Sequence, residues 1–208
     1  MVLFYYMIQS DRERQAPTTI DQAEPTHLVR YQFARDLLAG NETVLDMPCG
    51  SGYGSAVLAE RAKNVIGIDI FPDALEHGRE FFGRPNIEFK VADMDALEIS
   101  FPENELFDTI VSFEGIEHIH KQRECLEQCH RLLKPNGTLI MSTPRKPHGS
   151  PFHTIEFSYE EYVDFLSEFF TINEMYGQIY TDIFNTKERN ENPHDYPKFN
   201  FIAICSKK

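Results

Sequence analysis

The stretch Ser112-Phe-Glu114-Gly-Ile-Glu117-His118-Ile-His120 concentrates groups that can do chemistry. On a helix, Glu114, Glu117 and His118 would stand at i, i+3 and i+4, on one face. Two carboxylates and an imidazole can hold a hard or borderline divalent ion, Mg²⁺ or Mn²⁺. His118 could equally serve as a metal-free general base. A third reading is purely structural, since the helix dipole favours Glu in a first turn. Downstream, Phe152-His153-Thr-Ile-Glu156 could bring His153 as a fourth ligand.

A second constellation lies upstream. Thr43-Val-Leu-Asp46 reads as a buried strand, Met47 to Gly54 as a loop with glycines at 50, 52 and 54, and Ser55 to Glu60 as a helix. Strand, glycine turn and helix make the first half of a nucleotide-binding βαβ unit. The glycines let the chain turn tightly and let a ligand approach the main chain. The helix N-terminus directs free N–H groups at that loop. A second short strand, Asn64-Val-Ile-Gly-Ile-Asp69, ends in an acid suited to a ribose diol. A third, Ile87 to Ala92, runs into Asp93-Met94, an acid and an apolar side chain fit to hold an adenine ring.

The pattern Asp46-x-x-x-Gly50-x-Gly52-x-Gly54, followed by Asp69 and Asp93-Met94, resembles the class I S-adenosylmethionine (SAM) methyltransferases. The resemblance implies SAM as cofactor. Gly50, Gly52 and Gly54 would let the loop face the methionine part. Asp46 would orient the loop and accept from the SAM amine. Asp69, with Ile70 beside it, would hold the ribose, and Asp93 and Met94 the adenine. Arg30 is either a partner of the SAM carboxylate or a solvated helix charge. Tyr53 and Phe113 could lie near the sulfonium, where an aromatic face attracts a cation.

Two subfamilies share the downstream segments. Thr26-His27-Leu-Val-Arg30-Tyr31, the 112–119 stretch, Ser142-Thr-Pro144, Pro151-Phe-His153-Thr-Ile-Glu156 and Gly177-Gln178 resemble bacterial sugar and glycan-linked O-methyltransferases. Glu114, Glu117, His118 and His153 match the metal-binding set of small-RNA 3′-terminal ribose 2′-O-methyltransferases. Both imply transfer to a sugar hydroxyl, with His118, Glu114, Glu117 and His153 as catalytic and metal residues. A small sugar-containing acceptor is expected, with RNA as the alternative. The rival from another class is a SAM-binding partner protein without transferase activity.

Elements must position these groups. Residues 26–38 show an amphipathic helical pattern, residues 72–82 make a second crossover helix, and Phe107 to Phe113 a fourth strand. Glu114 to Lys134 is expected to be largely helical, with a turn at Lys134-Pro-Asn-Gly137 and a fifth strand at 138–143. Ser158 with Glu161 forms a capping box for a helix over 159–170, and strands follow at 170–175 and 200–205. The alternation predicts an α/β fold, a doubly wound seven-stranded, mostly parallel, Rossmann-like sheet. The family resemblance implies strand order 3-2-1-4-5-7-6, the last strand antiparallel. Ligands of such sheets sit beyond the C-terminal strand ends.

The 208 residues suit a single domain, with an N-terminal arm at 1–25 and a long loop at 177–199. With 41% hydrophobic and 25% charged residues the chain should be globular. A net charge of −13, from 20 basic and 33 acidic residues, disfavours a nucleic-acid partner. The cysteines at 49, 125, 129 and 205 form no CxxC pair and read as core residues of a reducing, cytoplasmic setting. Met1 to Ile8 is apolar but too short to span a bilayer, so no membrane insertion is expected. It reads as a packed arm or as an extension upstream of a start at Met7. A homodimer is compatible with all of this.

Overall fold

The computed structural model describes residues 15–102, 106–189 and 199–208. By its internal packing the chain divides into two compact units, Met1–Met94 and Asp95–Lys208.

The first unit holds β1 (Thr43–Asp46), β2 (Asn64–Asp69) and β3 (Ile87–Val91), in the order β3-β2-β1 and all parallel. Helices α1 (Pro25–Leu37), α2 (Tyr53–Leu58) and α3 (Pro72–Phe82) accompany them. Pro25 and Pro72 sit in the first turns of α1 and α3, where proline loses no helical hydrogen bond. Glu24 caps α1 by accepting from the His27 N–H. α3 buries Ala74, Leu75, Gly78 and Phe82, the apolar stripe of its amphipathic pattern. Leu75 packs with Cys49 and Phe89, and Ile87 lies against this cluster. Burying a Leu or Phe side chain contributes about 1.5–3 kcal/mol, so this contact anchors the loop-bearing Cys49 to β3 and α3.

The second unit holds β4 (Phe107–Phe113), β5 (Leu133–Pro144), β6 (Phe170–Ile179), β7 (Asp182–Asn185) and β8 (Phe199–Lys207), with α4 (Leu97–Ser100), α5 (Gln122–Leu132) and α6 (Tyr159–Ser167). Strand order is β4-β5-β8-β6-β7. β4 and β5 are parallel, while β8 runs antiparallel to both β5 and β6. The expected capping box is present, Ser158 accepting from the Glu161 N–H while the Glu161 carboxylate accepts from the Ser158 N–H. Tyr162 of α6 is fully buried, stacks on Phe201 at 6.0 Å and donates to the Met141 carbonyl at 2.9 Å. That hydrogen bond satisfies the phenol that burial would otherwise leave unpaired.

Several expectations need correction. There are eight strands among the described residues, not seven. The extra one is β7, which folds back on the end of β6 as a hairpin, Gly177 opposite Phe184 and Ile179 opposite Asp182. The 177–199 stretch is therefore partly ordered as strand, and residues 190–198 lie outside the described residues, as do 1–14 of the N-terminal arm. Within the arm, Ile20–Gln22 forms a 3-10 turn. Glu114 to Lys134 is helical over most of its length, as expected, but not as one helix beginning at Glu114. A 3-10 turn, Ile116–His118, comes first, α5 starts only at Gln122, and β5 starts at Leu133. The turn at 134–137 is there, but as an irregularity inside β5, where pairing jumps from Phe107–Leu133 to Thr109–Thr138. Asn136 takes the positive φ of 68° that this irregularity needs.

Candidate active site

In the first unit the two strand-end acids fasten the glycine loop. Asp46 is fully buried at the end of β1. Its Oδ2 accepts from the Ser55 hydroxyl at 2.6 Å and its Oδ1 from the Tyr31 hydroxyl at 3.1 Å. One carboxyl thus binds α1 and α2 to the strand end. Burial pushes its pKa up to about 7, against the two hydroxyls that stabilise the charge, and Asp69 adds to the rise. Asp69, 4% exposed, accepts from the Gly50 N–H at 3.0 Å and from the Phe71 N–H at 3.0 Å. It holds the loop and the turn into α3 together.

The glycines are not equivalent. A Cβ on Gly54 would sit 2.1 Å from the Tyr31 ring, and one on Gly52 2.7 Å from the Phe89 ring. Those two are required by packing. Gly50, at φ +54°, would meet nothing within 4 Å. It alone of the three presents open main chain, which is what a ligand can approach.

In the second unit the acid and histidine set gathers around a loop. Glu117 is 1% exposed, and its Oε2 accepts from the Thr143 hydroxyl at 3.2 Å. The His118 Nδ1 lies 3.2 Å from the Phe152 carbonyl. A carbonyl can only accept, so Nδ1 carries the proton and Nε2 carries the lone pair. The His153 ring lies 5.0 Å from His118, edge to face, and its Nδ1 is 3.3 Å from Glu156 Oε1. Glu117, His118 and His153 each offer one ligand atom, all within 4.8 Å of one another.

The loop carrying His153 is tied at several points. Arg145 pairs with Phe157, and the Lys146 N–H donates to the Phe157 carbonyl at 2.9 Å. The Thr154 N–H donates to the Glu117 carbonyl at 2.7 Å, fixing the loop on the 3-10 turn. Glu156 accepts from the N–H groups of His148 at 2.9 Å and Gly149 at 2.7 Å. Burial would raise the Glu156 pKa, but these two N–H groups and His153 outweigh it and hold it below the usual carboxylate range.

Three comparisons bear on this geometry. Residues 45–141 match the family model described as a methyltransferase domain. This chain carries a class I SAM-dependent methyltransferase domain. A curated relative from Mycolicibacterium smegmatis, named a probable S-adenosylmethionine-dependent methyltransferase, is 32% identical over 148 residues, covering 67% of this chain and 55% of the relative. A ubiquinone biosynthesis O-methyltransferase from Pseudomonas fluorescens is 33% identical over 125 residues, 59% of this chain and 53% of that one. The chain spans about half the length of the curated relatives it matches. Among solved structures, the N-methyltransferase NodS of Bradyrhizobium japonicum, in complex with S-adenosyl-L-homocysteine, superimposes with TM-score 0.71 at 18% identity, over 98% of both chains. The fold is accordingly the α/β Rossmann-like methyltransferase fold. No helix among the described residues is long and apolar enough to cross a membrane.

The methyltransferase geometry revises several expectations drawn from the sequence. Asp46 performs the orienting task, its two oxygens accepting from the Ser55 and Tyr31 hydroxyls. Arg30 is 2% exposed, so it is no solvated helix charge. Ile70, at 48% exposed beside buried Asp69, offers an apolar surface, and Met94 is buried next to half-buried Asp93. Tyr53 and Phe113 are buried. Glu114, Glu117 and His118 do not share a helical face, because Glu114 has φ 51° and precedes the 3-10 turn. The Glu114 carboxylate accepts instead from Ser142 at 2.7 Å and Asn200 at 2.6 Å, and it stands outside the Glu117, His118, His153 group.

Sequence reasoning missed Tyr31 and Ser55 as the partners of Asp46, and Asn200 as a partner of Glu114. It also gave no role to His148 or Glu156. The spacing His148-x4-His153-x2-Glu156 was visible, but spacing in a loop fixes no geometry.

Proposed function

We propose that the chain is an O-methyltransferase, passing the methyl group of SAM to a hydroxyl of a small, sugar-containing acceptor. The observation that carries this reading is the His118 ring. With Nδ1–H committed to the Phe152 carbonyl, Nε2 is the basic nitrogen, and it belongs to a group with Glu117 and His153. An alcohol is a poor nucleophile until its proton is drawn away, so a hydroxyl acceptor calls for such a base.

The first unit suits SAM. Gly50 offers open main chain, and Asp69, at the end of β2, holds that loop by accepting from the Gly50 N–H, which sets a carboxylate beside the loop for a ribose diol. When bound, SAM supplies an electrophilic methyl on a sulfonium. The chain's residues do the rest: Asp69 and the loop fix the donor, His118 takes the acceptor proton on Nε2, and alignment supplies most of the acceleration.

Glu117, His118 and His153 would also fit a divalent ion. With Glu114 turned to Ser142 and Asn200, the donor set becomes one carboxylate and two imidazoles, which suits Mn²⁺ better than Mg²⁺. Such an ion would lower the pKa of a bound hydroxyl.

The relatives named as ubiquinone biosynthesis O-methyltransferases favour a second reading, a hydroxyl acceptor that is not a sugar. An RNA ribose acceptor is disfavoured by the net charge of −13. The test is methyl-labelled SAM offered with sugars, catechol-type phenols and short RNA, each with and without EDTA. Label in a sugar supports the proposal. Label only in phenols moves the acceptor class, and label in none of them leaves a SAM-binding protein.

A further inference from the structure

His153 stands between two sets of ligands. On one side are Glu117 and His118. On the other are His148 and Glu156, and these two with His153 again offer ligand atoms within 4.8 Å of one another. The His148 and His153 rings stack at 4.8 Å with 22° between their planes, and His153 Nδ1 is 3.3 Å from Glu156 Oε1. The second set is not a chance meeting of surface side chains. Glu156 is fixed by the N–H groups of His148 and Gly149, and the loop is closed by the Arg145–Phe157 bridge. Gly149, at φ +79°, makes the turn that brings His148 back over His153. His148 itself is exposed, so an ion can reach the set from solvent.

We propose that His148, His153 and Glu156 form a second metal site, of the Zn²⁺ type, and that filling it removes His153 from the Glu117–His118 group. Two imidazoles and a carboxylate with an open fourth position are a donor set that Zn²⁺ takes readily. Glu117, His118 and His153 offer the same donors, so the two sets compete for His153, and His148→Ala against His118→Ala tells which of them Zn²⁺ fills. The coupling lies in the imidazole. In a neutral imidazole a proton on Nδ1, the nitrogen 3.3 Å from Glu156 Oε1, leaves the lone pair on Nε2. A Zn²⁺ ion on Nδ1 moves the proton to Nε2, which then donates and cannot ligate or accept. No bond of the protein is made or broken beyond this proton shift. The site itself stands apart from the proposed function, whereas its consequence for methyl transfer rests on that reading.

The experiment uses the whole chain, without SAM or acceptor, titrated with Zn²⁺ in competition with a chromophoric chelator. The expected result is one equivalent bound, with His148→Ala and Glu156→Gln each weakening it about tenfold or more and His118→Ala leaving it nearly unchanged. Imidazole ¹⁵N spectra of the same samples should place the His153 proton on Nε2 only when Zn²⁺ is present. Circular dichroism and melting of each variant exclude unfolding as the cause. Wild-type Zn²⁺ affinity in folded His148→Ala, or loss of Zn²⁺ in His118→Ala alone, overturns the proposal. So does a His153 tautomer that Zn²⁺ does not change. In active protein, Zn²⁺ should inhibit wild type at one equivalent, and inhibit His148→Ala only at roughly tenfold higher concentration. Absence of transfer to every acceptor would defeat the proposed function while leaving the chelator titration decisive for the site.

Discussion

Ser55 donates a 2.6 Å hydrogen bond to Asp46, and this bond ties the start of the helix after the glycine loop to the end of β1. Tyr31 completes the arrangement from α1 at 3.1 Å. The acid is fully buried, and its charge is costly.

That cost gives a pH prediction. The folded-state pKa of Asp46, about 7, exceeds that of an unfolded Asp, so the native state holds the proton more tightly. Its contribution to stability is full below the unfolded value near pH 4 and is lost as pH rises toward 7. Asp46→Asn removes this dependence. The stability of the variant relative to wild type should rise by up to about 4 kcal/mol between pH 4 and pH 8, since each pKa unit is worth about 1.4 kcal/mol. Denaturant melts of both proteins across that range measure it. A difference that stays constant with pH would mean that Asp46 is ionised at neutral pH.

The two kinds of glycine should separate in stability and binding. Gly54→Ala drives a methyl into the Tyr31 ring and should cost about 1–3 kcal/mol of stability. Gly50→Ala meets no atom but keeps a positive φ, at about 1–2 kcal/mol. Calorimetry with S-adenosyl-L-homocysteine should find the larger loss of affinity, relative to the loss of stability, in Gly50→Ala. Equal affinity in folded Gly50→Ala and wild type would remove the loop main chain from the cofactor site.

Asp69→Ala should lose the rise in melting temperature that SAM and its demethylated product give wild type, by linkage. Two hydroxyl hydrogen bonds to a carboxylate correspond to roughly 10²–10⁴-fold in affinity. The variant also frees the Gly50 and Phe71 N–H groups, so its own melting point should fall. Wild-type SAM affinity in Asp69→Ala would contradict the ribose assignment.

Glu114 and Glu117 should behave differently despite their adjacency in sequence. Glu114→Gln keeps an acceptor for one partner and should retain any divalent-ion response, with a shifted KM or melting point. Glu117→Gln should abolish that response. Manganese titrations of activity compare them, and the reverse order would restore Glu114 to the ligand set.

How much of this was legible beforehand follows from what each part depends on. The glycine loop, the three strand-end acids and the Ser158–Glu161 cap are local patterns, and local chemistry specifies them. The end of β6 is different. Gly177 and Gln178 read as loop because glycine and polar residues weaken a strand signal, yet Phe184 and Phe199 pack on Gly177 and pair it into a sheet. The 3-10 turn at 116–118 was hidden for a similar reason. Glutamates and a histidine at helical spacing look like a helix start, but Ser142 and Asn200 hold Glu114 at φ 51° through contacts distant in sequence. Tyr31 looked like one more apolar position of α1, and only the buried Asp46 gives its hydroxyl a purpose.

The most direct measurement is methyl transfer by His118→Ala beside its SAM affinity. With an acceptor found by the labelled-SAM screen, the variant should fall by about 10²–10⁴ in kcat while its SAM dissociation constant stays within about twofold of wild type. Wild-type turnover by folded His118→Ala would contradict the assignment of the Glu117–His118–His153 group to the acceptor.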